Sequence, residues 1–168
     1  MNNIVEANAF VFGNNVDTDQ IYPGRFVEFT DTEDIKKYAM FGADPEFTKK
    51  VKIGDIIVAG TNFGCGSSRE HAAIALKSVG ISVVIAESFG RIFYRNAINL
   101  GLALIVCPKI SQKIKTKDKV KIDLETGNIM KNNVLIAKGD TISEYVMDIL
   151  RSGGIKPMIK KQLEMQKG

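Results

Sequence analysis

The 168-residue sequence has no tryptophan, a single histidine and two cysteines. Cys65 and Cys107 are too few for a disulfide framework, and with one histidine they cannot build a structural zinc site within one chain. A reducing, cytoplasmic setting is the simplest expectation. No apolar run approaches the ~18–20 residues that a membrane-spanning helix needs. Residues 1–6 (MNNIVE) carry neither a basic nor an apolar segment, so a secretory leader is not expected. Excess charge is also scarce. The 23 basic and 19 acidic residues leave a formal +4, too mild by itself to argue nucleic-acid binding. Six lysines and one aspartate crowd residues 109–121, and residues 156–168 read as a basic C-terminal tail with four lysines against one glutamate. Both stretches are expected to be solvated, the tail as a frayed end; an anionic partner surface is the alternative.

What is present describes an ordinary globular chain: 45% apolar, 25% charged, mean hydropathy −0.01. Neither a repeat nor a low-complexity linker divides it, so one domain over 1–168 is expected. Residues 9–12 look like a strand and 31–41 like a short helix with Asp31 or Thr32 as N-cap. Apolar runs at 53–60, 82–86 and 102–106 read as buried strands. Between them, helical spacing predicts helices over 67–79 and 89–100, with Phe89, Ile92, Phe93, Ala97 and Leu100 on one face. Strand–helix–strand–helix–strand in so short a span implies βαβ units and a parallel sheet. After 119 the rhythm changes to ribbons over 119–124 and 133–137, then a helix over 141–150 ending at Gly153-Gly154. The fold class is therefore α/β, a mostly parallel sheet with flanking helices and short antiparallel extensions.

The stretch richest in chemistry is 62–71, NFGCGSSREH, between a buried strand and a helix. Ligands of parallel α/β sheets bind at the carboxyl ends of strands. Gly64 and Gly66 permit a sharp turn and close approach, Ser67 and Ser68 supply hydroxyls, and Arg69 offers a fork for carboxylate or phosphate. Ser67-x-x-Glu70 also fits a capping box, a purely structural device, and both readings stand. The stretch is neither a Walker loop, lacking the lysine, nor a Gly-x-Ser-x-Gly nucleophile elbow. A Ser67–His71 hydrolase pair is disfavoured because both would sit on one helix. Cys65 is either a small residue in a tight loop or a reactive thiol; Cys107 and His71 read as structural. A second stretch, 14–25 (NNVDTDQIYPGR), places Asp17 and Asp19 in a turn where they can orient a base, bind a metal or cap the turn.

The ordered set NNVDTDQI–YPGR, AGTNFGCGSSREHAA and AESFGRIFYRNAINLGL closely resembles the small subunits of the aconitase-type hydro-lyases, in particular those of the 3-isopropylmalate dehydratases, over about residues 4–155. The resemblance implies a single swivelling β/β/α domain. It implies reversible dehydration and rehydration of a malate-like acid, here 2- and 3-isopropylmalate in leucine biosynthesis. The chain would act only with a large subunit holding the 4Fe–4S cluster, and would bind no cofactor or metal itself. Ser67 matches the serine base and Asp19 the aspartate that pairs with a histidine of the large subunit. Ser68 and Arg69, beside Gly66, match the carboxylate-binding residues.

The segment after the Pro-Gly turn reads the substrate's side group in such proteins, and members acting on tricarboxylates carry an arginine there. Here it is Phe26-Val27-Glu28-Phe29, following Arg25. Glu28 would repel a third carboxylate, while Phe26, Val27 and Phe29 suit an alkyl group. An alkylmalate is therefore expected over homocitrate, with 2,3-dimethylmalate, citramalate-type and homoaconitase activities as alternatives. An RNA- or anion-binding module and a stand-alone nucleotide-binding domain are the competing non-lyase classes; neither a nucleic-acid nor a membrane partner is expected.

Overall fold

Ile56–Ala59, Val83–Ala86 and Ala103–Val106 are apolar throughout, a pattern that suits strands covered on both faces. The computed structural model describes residues 3–167. In chain order its elements are β1 (Ile4–Val11), α1 (Thr18–Ile21), α2 (Thr32–Ile35), α3 (Phe47–Lys50), β2 (Ile56–Ala59), α4 (Glu70–Val79) and β3 (Val83–Ala86). Then come α5 (Arg91–Leu100), β4 (Ala103–Val106), β5 (Lys119–Asp123), β6 (Asn128–Lys131), β7 (Val134–Lys138), α6 (Glu144–Arg151) and α7 (Ile155–Lys167).

All seven strands form one sheet in the order β4-β3-β2-β1-β5-β6-β7. β1 to β4 pair in parallel, and β1-β5, β5-β6 and β6-β7 pair antiparallel. The fold is α/β as expected, and its antiparallel part equals the parallel part in number of pairings. β1 joins the two halves: Ala9–Val11 lie against β2, and Ile4–Asn8 against β5.

Alternation along the central strands divides the core in two. Ile57, Ala59, Val84, Ala86 and Leu104 face one cluster with Ala72, Ala75 and Leu76 of α4 and Phe93, Ala97 and Ile98 of α5. Ile56, Val58, Val83, Ile85 and Ile105 face the other, closed by Val120 and Ile122 of β5, Ile129 of β6, and Met147 and Leu150 of α6. The antiparallel strands thus cover the face that α4 and α5 leave open.

Several boundaries differ from the sequence reading. β1 begins at Ile4, not Ala9, because polar Glu6 and Asn8 alternate outward within it. The helix read over 31–41 is α2 followed by a 3-10 turn at Lys36–Tyr38, with Asp31 capping through Glu33 N–H at 2.9 Å. The segment read as a basic tail carries α7; Met158 is buried, and residues 159–167 are exposed. Ile92, grouped with the buried face of α5, is 49% exposed. The helix expected from residue 67 starts only at Glu70: Arg69 is its extended N-cap and no side chain caps it. The capping-box reading of Ser67/Glu70 is not realised, because the start at Glu70 puts Ser67 before the cap position; its Oγ meets Thr18 Oγ1 at 3.3 Å. A capping box does form at α1, where Asp17 and Gln20 bond each other's backbone N–H groups at 2.8 and 3.0 Å.

Gly64 sits at φ +81°, and a Cβ there would come within 2.3 Å of the Phe93 ring. The left-handed backbone costs a β-carbon about 1–2 kcal/mol, and the overlap about 1–3 more. Gly64→Ala is therefore expected to lower the unfolding free energy by about 2–5 kcal/mol in urea titration. A loss within about 0.5 kcal/mol would refute this account of the loop.

Candidate active site

The parallel strands β1, β2 and β3 deliver three loops to one end of the sheet, and backbone hydrogen bonds join them. Asn15 N–H donates to Thr61 O at 2.8 Å, Gly64 N–H to Val16 O at 2.7 Å, and Phe63 N–H to Ser88 O at 3.0 Å. Asn14 Oδ1 accepts from Thr61 N–H at 2.8 Å, and Ser88 Oγ from Asn62 N–H at 2.7 Å. Polar groups that loops must satisfy are thus spent between loops, which makes the edge rigid.

α1 stands in this edge. Its capping box fixes the turn, and Thr18 N–H donates to Cys65 O at 2.8 Å in a short parallel bridge. Thr18 is buried, and its hydroxyl meets that of Ser67. Ser67, Ser68 and Gly66 are exposed, in the segment that precedes α4. Thr18 is the residue that sequence reasoning passed over, although it lies inside the Asp17–Asp19 motif. Its one signal was a hydroxyl between two acids, and the fold alone brings it to Ser67.

Arg69 folds back across the same turn. Its guanidinium donates to Asp19 Oδ1 at 2.8 Å and to Tyr22 O at 3.2 Å, and Gly24 N–H donates to the same Asp19 oxygen at 2.9 Å. A Cβ on Gly24 would come within 3.0 Å of that guanidinium, so the bare backbone gives Arg69 its path. Arg69 first, and the Gly24 amide second, hold the Asp19 carboxyl below its ordinary value of 3.8. The Asp19 side chain is 65% exposed, so the pair adds little stability; its value is in aiming the arginine. Ser67, Arg69 and Asp19 are therefore gathered around α1.

The four residues after the Pro-Gly turn divide by direction. Phe26 and Phe29 stack with Tyr38 at ring-centroid distances of 3.8 and 5.6 Å, packing inward. Val27 and Glu28 are exposed, and the Arg25 guanidinium lies 4.8 Å from the Phe26 ring centre and 5.4 Å from that of Phe41. A shallow depression of about 410 Å³ opens between Asp19, Arg25, Phe41 and Pro45. Of the residues expected around an alkyl group, Val27 is outward and Phe29 is part of the aromatic cluster.

The structural readings of the remaining residues are visible in their contacts. His71 Nε2 hydrogen-bonds Phe29 O at 3.0 Å and its ring stacks on Tyr22, so its recorded partner is a backbone carbonyl and not Ser67. Cys107 is buried in the core, and burial pushes its thiol up. Cys65 is half-buried in the loop, 42 positions earlier in sequence. Iron–sulfur clusters are ligated chiefly by several thiolates, and two separated cysteines, one in the core, do not fit one. Among the described residues no three His, Cys, Asp or Glu side chains gather as a metal site. No helix among them is long and apolar enough to cross a membrane.

Known proteins share much of this sequence and fold. Residues 14–109 match the family model described as the aconitase C-terminal domain. The isopropylmalate/citramalate isomerase small subunit of Methanocaldococcus jannaschii is 54% identical over 97% of this chain and 98% of its own length. The 3-isopropylmalate dehydratase small subunit of Sulfurisphaera tokodaii is 51% identical over 94% of both chains. The crystal structure of 3-isopropylmalate dehydratase from Methanocaldococcus jannaschii superposes with a TM-score of 0.90 at 46% identity, covering 98% of this chain and 99% of that one. This chain belongs to the aconitase C-terminal domain family, among the small subunits of its hydro-lyases.

Proposed function

We propose that this chain is the small subunit of a heteromeric dehydratase that interconverts 2-isopropylmalate and 3-isopropylmalate, with Ser67 as the base. The observation that carries the reading is the exposed Ser67 hydroxyl, held at the carboxyl edge of the sheet beside an arginine already fixed on a carboxylate. The large subunit closes this face and supplies a 4Fe–4S cluster, whose chemistry is polarisation of the substrate hydroxyl. Ser67, as its alkoxide, takes the proton from the substrate C–H and becomes the neutral hydroxyl, the C–H electron pair forms the carbon–carbon double bond, and the hydroxyl on the adjacent carbon takes a proton from an acid of the large subunit and leaves as water. Water then adds with the positions exchanged, hydroxyl to the carbon that lost the proton and the Ser67 proton to the carbon that lost the hydroxyl, which returns the alkoxide and the acid and completes the isomerisation. Ser68 and Arg69 hold a substrate carboxylate; Arg69 is suited because its fork pairs with planar anions. Both hydrogen bonds to Asp19 fall on Oδ1, so Oδ2 serves a donor from the large subunit. The whole chain acts in the cytoplasm as one swivelling domain.

Val27 and Glu28, exposed beside Arg25, select an alkyl group over a third carboxylate. One relative's name couples isopropylmalate with citramalate. Citramalate is accordingly the second substrate to assay, with 2,3-dimethylmalate and homocitrate as controls.

Alone, the chain is expected to fold without dehydratase activity, and addition of the cluster-loaded large subunit should give turnover of isopropylmalate. Ser67→Ala should lower kcat about 10²–10⁴-fold with an unchanged circular-dichroism spectrum. Wild-type turnover by that variant would exclude Ser67 as the base.

Asp19→Asn tests the pair by pH. A carboxyl lowered in the folded state stabilises above its ordinary pKa, and that contribution fades as pH falls through the lowered value. The small Tm difference between wild type and Asp19→Asn should thus be constant well above pH 3.8 and shrink as pH falls below it. A difference that grows on acidification would contradict the assignment. For substrate choice, Glu28→Arg should shift kcat/KM away from isopropylmalate and toward homocitrate about 10-fold or more; unchanged ratios would remove Glu28 from the specificity surface.

A further inference from the structure

We infer that Thr18 is a positioning residue for the reaction, its hydroxyl holding and activating Ser67; this rests on Ser67 being the base. Thr18 is 3% exposed, and with Asp55 it makes up the buried polar or charged residues of the described chain. A buried hydroxyl is costly unless hydrogen-bonded, and the side-chain partner recorded for this one is Ser67 Oγ at 3.3 Å. Every other polar group of Thr18 is committed to fixing its place. Its N–H donates to Cys65 O, and its carbonyl accepts from Tyr22 N–H, each at 2.8 Å. The Asp17–Gln20 capping box holds the turn below it.

The asymmetry of the pair is informative. Thr18 is buried, β-branched and stiff at χ1, whereas Ser67 is exposed on a loop behind Gly66, which lies at φ +98°. An anchored hydroxyl therefore sets the rotamer of a free one. Between two neutral hydroxyls either can donate. Once Ser67 is deprotonated, only Thr18 has a proton to give, and the hydrogen bond must run from Thr18 to the alkoxide. A bond to a charged oxygen is about twice as strong as one between neutral groups. The contact thus favours the basic form of Ser67 over its resting form, in addition to aiming it.

Two variants separate this role from simple packing in the reconstituted dehydratase. Thr18→Val keeps the shape and removes the hydroxyl; Thr18→Ser keeps the hydroxyl and removes the methyl. Thr18→Val should lower kcat about 10–100-fold, leave KM for isopropylmalate within about twofold, and move the acidic limb of the kcat–pH profile up by about one unit. Thr18→Ser should stay within about threefold of wild type, with an unmoved profile. A packing role predicts the reverse order, and that order would overturn the proposal. Independently of turnover, three-bond NMR couplings at Ser67 in the free chain should report one χ1 rotamer in wild type and Thr18→Ser, and averaging in Thr18→Val; a single rotamer in all three would also overturn it. Should Thr18→Val fail to fold, Thr18→Ala carries the missing-hydroxyl arm.

Ser67→Ala, measured beside these, distinguishes the two levels of the argument. An inactive Ser67→Ala with a wild-type-like Thr18→Val removes Thr18 and leaves the base in place. Full activity in Ser67→Ala removes both. The Thr18→Val effect should also disappear in a Ser67→Ala background, because the two groups act through one bond.

Discussion

The site hangs on a backbone clamp between two loops that are far apart in sequence. Gly64 N–H donates to Val16 O, and two residues further along Thr18 N–H donates to Cys65 O, so the β1–α1 and β2–α4 connections run side by side. A flexible serine loop alone would spread its hydroxyl over several rotamers and directions. Bound to α1, it has a floor: the capping box below, the buried threonine beside, and the arginine returning overhead. Gly64 is where that clamp meets the core, since Phe93 of α5 occupies the space a side chain would need. Rigidity at the edge is therefore inherited from the packing of the domain.

The electrostatics of this edge fit half of a site. Its ionic contact, Arg69 with Asp19, is open to solvent and modest as a source of stability. Exclusion of water by a partner would strengthen the same pair without moving an atom, because charges attract more strongly where the local dielectric is low. Ser67 stands under the same rule. In water a hydroxyl is a very weak base, so in the role proposed for Ser67 the hydrogen bonds that favour its charged form would gain their effect when the face is covered. The exposed position of these residues thus suits the proposed division of the reaction between two chains.

Most of the architecture was legible because it follows from local chemistry. The runs read at 53–60, 82–86 and 102–106 contain β2, β3 and β4, though Ile53 is exposed before β2, and α4 and α5 declare themselves by period. β6 was not legible: of Asn128, Ile129, Met130 and Lys131 one is buried, and the strand exists through its ladder to β5. α7 was hidden by its lysines. The Ser67/Glu70 capping signature fails for a different reason, since the helix starts at Glu70 and leaves Ser67 before the cap, where its hydroxyl meets Thr18 across 49 positions. Ser67, Arg69 and Asp19 stood out by residue type and place, whereas Thr18 carries no such mark. Its importance is created by the clamp, and a clamp between distant loops cannot be read from spacing.

The segment after the Pro-Gly turn is tethered at both ends from within. Tyr22 donates its phenol to Phe26 O, and His71 reaches Phe29 O, while the two phenylalanine rings stack into the aromatic cluster. Val27 and Glu28 are left between those tethers, facing outward with no part in the core. Substitutions at those two positions would leave the tethers and the stacked rings in place. Under the specificity role proposed for them, new diets could be tried on an unchanged skeleton.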